Sequence, residues 1–453
     1  MIRTRFAPSP TGFMHLGNLR TALYAYLIAK SAEPKGTFIL RIEDTDRERL
    51  IEGSLEFILK TLKSVGLNWD EGPEVGGDYG PYIQSERKAG YLKFAEKLIE
   101  NKTAYYCICS DEECLCKGKQ ENEIKNAMEN GYAIRQAMPK EGSTTFIDLV
   151  YGEIKVENKE LEDQILIKRD GLPTYNFANV IDDHLMAVTH VVRGSEYLSS
   201  TPKYVLLYEA LNIKQPEYIH LPLILNEEKE KLSKRRGDAN FEDLIEEGFL
   251  AEAVLNYIAL LGWAPKDNKE LFSLKELEEA FYIEGIGKSP SSFDKAKLTW
   301  LNGEYIKNML EDDFYNLVSQ HLKSSIKKEV DLKKVASYCK SRVNFAHEVT
   351  DLVDFIDELK DYGTDLYLHK KMKTTIEGSI LALEEVLQLD LDLEKTIEKL
   401  GVKNGQVLWP VRTALTGKPT SFCGAHELIE LLGKEESIKR INIGLKMLKG
   451  LNL

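Results

Sequence analysis

The sequence has no apolar stretch long enough to cross a bilayer: its most apolar early segment, Thr21 to Ala29, falls far short of the ~20 residues a membrane helix needs. It opens Met1-Ile2-Arg3-Thr4-Arg5 without the apolar core of a secretory leader, so a cytoplasmic protein without membrane partners is expected. Proline is sparse, 14 in 453 residues, and with 31 glycines in no regular order this excludes a fibrous or low-complexity chain. Positive charge is in deficit. Lys and Arg number 60 against 73 Asp and Glu, a net charge of -13, so the chain cannot coat nucleic acid nonspecifically and any RNA contact has to be patchy. Cysteine is scarce too; four of the six lie between Cys107 and Cys116 while Cys339 and Cys423 stand alone, which is not the spread of a disulfide framework. What remains is an ordinary globular composition, 43% hydrophobic and 29% charged, on a chain too long for one core, so two to four compact units are expected.

Ile2 to Phe6 alternates in the manner of a strand and runs into the turn-rich Pro8-Ser9-Pro10-Thr11-Gly12. After Gly17, Leu19, Leu23, Tyr26 and Leu27 recur at helical spacing, and a second strand follows at Thr37 to Ile42. This is a βαβ unit of an open parallel sheet. A helix from Ser54 to Val65 stops at Gly66. From about Gly77 to Leu172 the pattern turns irregular, with short strands at Val150 to Val156 and Gln164 to Lys168, and reads as an insertion between two halves of the sheet. Helix, strand and helix resume at Thr174 to Leu211, and a strand at Tyr218 to Leu225 leads into Lys231 to Asp238. Beyond Asp238 nearly everything is helical, as in Ile376, Ile380, Leu383 and Leu387, with a boundary near Gly303 to Leu310. The expected fold class is α/β: sheet-domain halves at 1–77 and 173–238, an inserted α+β domain at 78–172, and all-α domains at 239–310 and 311–453.

Two loops carry phosphate chemistry. His15-Leu16-Gly17-Asn18 opens a helix at the C-terminal edge of the sheet, where such folds bind ligands and the helix end favours anions. A histidine there can donate to a phosphoryl oxygen as charge builds, and a glycine admits a flat base against the backbone. Alone, such a tetrapeptide is usually just a turn. Lys231-Leu232-Ser233-Lys234-Arg235-Arg236-Gly237-Asp238 gathers cations in one glycine-ended loop. Alone, it is usually a solvated basic turn; as a functional element it would clamp pyrophosphate. Arg5 and Arg193 are expected at the same sheet edge, and two guanidiniums near a nucleotide suit a dicarboxylic substrate.

With these loops the sequence resembles the class I aminoacyl-tRNA synthetases, whose two motifs, HIGH and KMSKS in one-letter code, match His15 to Asn18 and Lys231 to Arg235. Asn18 stands where the first has His, and Arg235 where the second has Ser. Arg5 to Gly12, Leu40 to Asp46 and Gly171 to Asn179 are similar to the glutamyl branch of that family. The resemblance implies a catalytic Rossmann-type domain, an acceptor-end insertion, a stem-contact domain and a helical anticodon-binding region. It implies that Arg5, Ala7, Ser9, Glu43, Tyr175, Asn179 and Arg193 hold L-glutamate, with arginine on the side-chain carboxylate and Glu43 facing the α-amino group. His15, Gly17, Asn18, Glu196, Lys231, Ser233 and Lys234 would then hold ATP, with His15, Lys231 and Lys234 catalytic and Mg²⁺ assisting. The expected reaction is ATP-dependent activation of glutamate and its transfer to tRNA(Glu) by a monomeric enzyme.

Cys107-Ile108-Cys109 and Cys114-Leu115-Cys116 each place two thiols two residues apart, which on a strand aims both at one face. A turn between the pairs could bring all four around a structural Zn²⁺; reduced core cysteines or an incidental disulfide are the alternatives. Relatives with zinc in this insertion also start Cys-x-Cys but generally bring the later ligands from farther along the chain. Lys327, Lys328 and Lys333 form a modest basic run, either a solvated helix face or a phosphate contact, and His184, His190 and His220 read as packing or hydrogen-bonding residues. Other functions stay open: loading glutamate onto tRNA(Gln), wholly or additionally, or noncatalytic tRNA binding. Intact His15, Lys231 and Lys234 speak against the second, and the long helical half against a plain nucleotidyltransferase or a tRNA-base-modifying relative.

Overall fold

The computed structural model describes residues 1–12, 14–45, 50–109, 116–117, 119, 131–226, 228–232 and 240–450. Two compact units divide the chain, Met1–Leu298 and Thr299–Leu453.

The first unit begins with β1 (Arg3–Phe6), α1 (Leu16–Lys30) and β2 (Thr37–Leu40), the βαβ unit legible in the sequence. After α2 (Ser54–Ser64) and α3 (Lys88–Glu100) come β3 (Ala104–Cys107), β4 (Ala133–Gln136), β5 (Ser143–Asp148), β6 (Gly152–Glu157) and β7 (Gln164–Ile167). Next are α4 (Tyr175–Leu185), β8 (His190–Gly194), α5 (Thr201–Leu211) and β9 (Glu217–Leu221). The main sheet has the order β2-β1-β8-β9-β5-β6. β2, β1, β8 and β9 are parallel neighbours, with Arg3 opposite Thr37, Thr4 opposite His190 and His190 opposite Glu217. The chain leaves β1 for β2 on one side, and β8 fills the other, so the C-terminal end of β1 is a switch point where such sheets open a crevice.

Burial explains these elements. Thr4, Arg5 and Phe6 are all buried, as are Phe38, Ile39 and Leu40, because helices cover both faces of a parallel sheet. The helical spacing of Leu19, Leu23, Tyr26 and Leu27 marks one apolar face of α1. Tyr24, Ala25 and Ile28 are buried as well, since a helix from the following segment, Ala251–Leu260, packs on its far side and Ala259 O accepts from Tyr24 OH at 3.0 Å.

The segment expected as a single insertion is divided. β3, β4 and β7 form their own antiparallel sheet. The β5–β6 hairpin instead extends the main sheet, with Asp148 beside Tyr218 and the Phe146 ring 5.7 Å from that of Tyr218. An uncovered β9 would present unpaired backbone groups, and the hairpin supplies their partner.

The second unit is helical, including Glu311–Ser325, Leu332–Cys339, Ile376–Gln388, Asn404–Thr416 and Lys434–Leu448. The two units part between Leu298 and Thr299, and helix Lys295–Asn308 runs unbroken through Gly303. Glycine serves close approach there: a Cβ would meet Asn344 Oδ1 at 2.2 Å. The basic run is not one helix face, because its helix ends at Ser325. Lys328 pairs with Glu436, Lys333 with Asp312 and Lys334 with Glu430, so much of that charge is already matched.

Beneath the switch point, Asp183 of α4 takes Arg5 Nε at 3.0 Å and Arg41 Nη1 at 2.7 Å, all three groups being buried. Burial alone would raise the Asp183 pKa, yet the two guanidiniums hold it below its ordinary 3.8. Because the folded value is depressed, this carboxylate contributes its full stabilisation above pH 3.8 and loses it only as the pH falls through the lower folded value. Asp183→Asn, which strands buried Arg5 and leaves buried Arg41 with Glu43 as its one carboxylate, is expected to cost about 3–5 kcal/mol and to lower the first unfolding transition in calorimetry at pH 7.

Candidate active site

The C-terminal ends of the parallel strands open into a cavity of about 470 Å³. Arg5, Ala7, Ser9, His15, Gly17, Asn18, Glu43, Tyr175, Arg193, Glu196 and Lys231 line it. The strand-end loops are tied together, since Arg41 N donates to Phe6 O and Glu43 N to Pro8 O, each at 3.0 Å. Asn179 does not line the cavity; its amide donates to Tyr175 O at 2.8 Å. Ser233, Lys234 and the rest of 233–239 lie outside the described residues.

His15 is the N-cap of α1. Its Nδ1 accepts from Asn18 N at 3.3 Å, which puts the ring proton on Nε2. No Asp or Glu occupies the first turn of α1, so the positive end of the helix is left for an anion. A Cβ on Gly17 would stand 3.1 Å from the imidazole Nδ1 and Cε1, so a larger residue would press on the ring. Lys231 sits where the chain folds back, with Leu232 N donating to Ile224 O at 3.0 Å. Its Nζ lies 3.2 Å from Glu196 Oε1, and both side chains are about half exposed.

The two arginines differ. Arg5 is matched by Asp183 and also donates to Val192 O at 3.2 Å. Arg193, 5% exposed, has no carboxylate partner among the described residues. It donates from Nε to His220 Nε2 at 3.1 Å and from Nη2 to Thr201 Oγ1 at 2.8 Å, and the rings of Tyr197, Tyr204 and Tyr218 surround it at 5.4, 4.7 and 5.5 Å. His220 in turn meets Asp148 Oδ2 through Nδ1 at 2.7 Å. Burial, opposed by the bond to Asp148 and aided by Arg193, lowers the imidazole pKa, so His220 meets the carboxylate as a neutral ring and not as an imidazolium.

Glu43 carries the opposite sign. Its Oε1 accepts from Arg41 Nη2 at 2.9 Å, while Oε2 is buried with no partner among the described residues. Burial pushes its pKa up to about 6 despite the pull of Arg41. Tyr175, the first residue of α4, stacks its ring obliquely 5.6 Å from that of Tyr197.

Sequence reasoning missed Asp148, Thr201 and Arg20, and gave His220 no tie to the site. Arg20 lines the cavity from α1, binding Leu261 O at 2.9 Å and also Pro222 O. Single letters in separate segments carry no sign of such partners.

Away from the cavity, the sulfurs of Cys107, Cys109 and Cys116 lie within 4.8 Å of one another; Cys109 and Cys116, at 3.4 Å, are not bridged. Cys114 lies outside the described residues.

A parallel sheet whose switch point gathers a His-x-Gly helix start and a lysine loop around one cavity defines the catalytic domain of a class I aminoacyl-tRNA synthetase. Residues 1–130 and 110–300 match the family model for the catalytic domain of class I tRNA synthetases (E and Q), and 313–445 match an anticodon binding domain. The chain is 54% identical to a glutamate–tRNA ligase of Clostridium botulinum (strain Eklund 17B / Type B), covering 99% of each, and 52% identical to that of Clostridium kluyveri, covering 99% of this chain and 98% of the other. A solved glutamate tRNA ligase from Elizabethkingia meningosepticum, in complex with its amino acid, superposes with a TM-score of 0.86 at 34% identity over 99% of both chains. The chain belongs to the glutamate–tRNA ligase family: it activates glutamate and transfers it to tRNA.

The raised Glu43 value fixes a sign. Its folded pKa of about 6 exceeds the ordinary 4.5, so the ionised form costs stability, fully above pH 6 and not at all below pH 4.5. Glu43→Gln is therefore expected to stabilise the protein by about 2 kcal/mol at pH 8, with the gain vanishing towards pH 4.5 in thermal unfolding.

Proposed function

We propose that the cavity binds L-glutamate with its side-chain carboxylate at Arg193, supported by Arg5, and its ammonium at Glu43, with Ala7, Ser9, Tyr175 and Asn179 shaping or backing the pocket. ATP lies along His15, Gly17, Asn18 and Glu196, with Lys231, Ser233 and Lys234 over its phosphates. One observation carries this reading: among the described residues, the same cavity holds a buried guanidinium without a carboxylate and a buried carboxylate oxygen without a partner. A zwitterion with an acidic side chain satisfies both.

The glutamate α-carboxylate attacks the α-phosphorus of ATP, the bond to the bridging oxygen breaks, and pyrophosphate leaves. His15 Nε2–H donates to the phosphoryl oxygens as charge develops, and Lys231 exchanges Glu196 for the departing pyrophosphate. Mg²⁺, as class I synthetases use it with ATP, adds charge neutralisation at the phosphates. The terminal hydroxyl of the tRNA then attacks the activated carbonyl and AMP departs. No protein nucleophile is required.

We infer that the tRNA is tRNA(Glu) and that the enzyme works as a monomer in the cytoplasm; no helix of the described residues is long and apolar enough to cross a membrane. Separate charging of purified tRNA(Glu) and tRNA(Gln) tests the partner, with product expected on the first. The sulfurs of Cys107, Cys109 and Cys116 suit a soft tetrahedral cation, with Cys114 as the fourth ligand, and such a structural zinc would order the inserted sheet. Elemental analysis of metal-replete protein is expected to return one zinc per chain, and none would end this assignment.

Arg193→Gln is expected to raise KM for glutamate about 10–100-fold. Lys231→Ala or Lys234→Ala is expected to slow pyrophosphate exchange, measured with tRNA present, by about 100-fold, with far less effect on glutamate binding. An unchanged exchange rate would sink the phosphate assignment.

A further inference from the structure

Arg193 is held by a polar chain that starts in the inserted segment. Asp148, at the tip of the β5–β6 hairpin and 1% exposed, accepts four N–H bonds. Oδ1 takes Val150 N at 2.9 Å and Tyr151 N at 2.8 Å; Oδ2 takes His220 N at 3.1 Å and His220 Nδ1 at 2.7 Å. With its acceptor sites so occupied, the carboxylate fixes one tautomer of the fully buried imidazole, the proton on Nδ1 and the lone pair on Nε2. That lone pair is what Arg193 Nε requires. Thr201, also fully buried, has its Oγ1 2.8 Å from Tyr197 O and 3.2 Å from His220 Nε2; donating to the nearer carbonyl, it leaves the imidazole lone pair to Arg193 Nε and offers Nη2 an oxygen acceptor.

Both acceptors on Arg193 are neutral. They fix the plane of the guanidinium without cancelling its charge, whereas Arg5 is neutralised by Asp183. Arg193 Nη1 has no protein partner among the described residues, and Arg193 lines the cavity. A carboxylate in place of His220 would orient the arginine equally well and remove the charge that a substrate carboxylate needs. An imidazole protonated on Nε2 would point a donor at a donor.

We propose that Asp148 and His220 are positioning residues for glutamate selection: through the Nδ1–H tautomer they aim a charged, uncompensated Arg193 at the substrate's side-chain carboxylate. The proposal rests on the reading of Arg193 as the residue that meets that carboxylate. It makes the hairpin that completes the main sheet part of the amino-acid pocket as well.

The test is aminoacylation kinetics of the full-length enzyme with tRNA(Glu), varying glutamate and ATP separately. His220→Leu is expected to raise KM for glutamate about 10-fold or more, as loss of an outer hydrogen-bond partner does, while KM for ATP and kcat at saturating glutamate stay within about twofold. His220→Gln, whose carbonyl oxygen accepts from Arg193, is expected to recover most of the affinity, and Asp148→Asn to resemble His220→Leu. On an Arg193→Gln background, His220→Leu is expected to add little, because the two act through one contact. An unchanged KM for glutamate in folded His220→Leu overturns the proposal. So does an equal rise in both KM values, or a full effect persisting without Arg193. If His220→Leu does not fold, His220→Gln and Asp148→Asn carry the same comparison, and loss of glutamate affinity equal in both overturns it. If Arg193→Gln itself leaves KM for glutamate unchanged, the reading of the pocket fails; if only the His220 and Asp148 variants are silent, the positioning role alone fails.

Discussion

The structure around the cavity depends on one buried carboxylate. Asp183 sits at the centre of β1, β2 and α4 and answers two guanidiniums at once, Arg5 from the first strand and Arg41 from just beyond the second. Without it, Arg5 would lie uncompensated in a low-dielectric space, Arg41 would keep only Glu43, and the strand ends that carry Ala7, Ser9 and Glu43 would lose their common anchor. Its neighbour Asp182 repeats the device, taking Arg87 Nε at 2.6 Å and Tyr91 OH at 2.7 Å. One acidic dipeptide thus binds the sheet domain to the start of the inserted segment.

Against this neutralised floor the reactive groups stand out by contrast. Arg193 and Glu43 are buried and under-matched, His15 has its ring proton fixed by the helix it caps, and Lys231 is held at the exposed rim by a carboxylate that offers little resistance to exchange. Asp183 and Asp182 are matched by arginines, whereas Arg193 is held by neutral partners, Glu43 keeps one oxygen open among the described residues and Lys231 has an exchangeable, half-exposed partner. This separation permits a site of unsatisfied polar atoms inside a stable domain.

Much of this was legible in the sequence, for definite reasons. Ile2 to Phe6, the Pro8 to Gly12 turn and the Leu19 spacing announce a βαβ unit, and a parallel sheet brings its C-terminal loops to one edge, so Arg5, His15, Arg193 and Lys231 could be grouped from the sequence, with Glu43 joining them only through the family resemblance. The counterions were not legible. Asp182, Asp183 and Asp148 are ordinary acids in sequence, and only packing reveals which cations they face. The path of Ser143 to Glu157 was hidden because a strand's alternation tells which face is buried but not which sheet it joins. The partners of the Lys327 to Lys334 run were equally hidden, since Lys328, Lys333 and Lys334 are matched in space by Glu436, Asp312 and Glu430.

The β5–β6 hairpin bears on how such enzymes can be recombined. Because residues 143–157 close the open edge of β9 and carry Asp148 under the pocket, the inserted segment is not a detachable module bounded at its two ends. A chimaera exchanging the whole insertion between relatives would transplant Asp148, and with it the support of His220 beside Arg193, along with the β3–β4–β7 layer. A viable crossover has to leave the hairpin with the sheet it completes and exchange only the β3–β4–β7 layer. The chain thus has a grafting boundary in space that no single cut in sequence can follow.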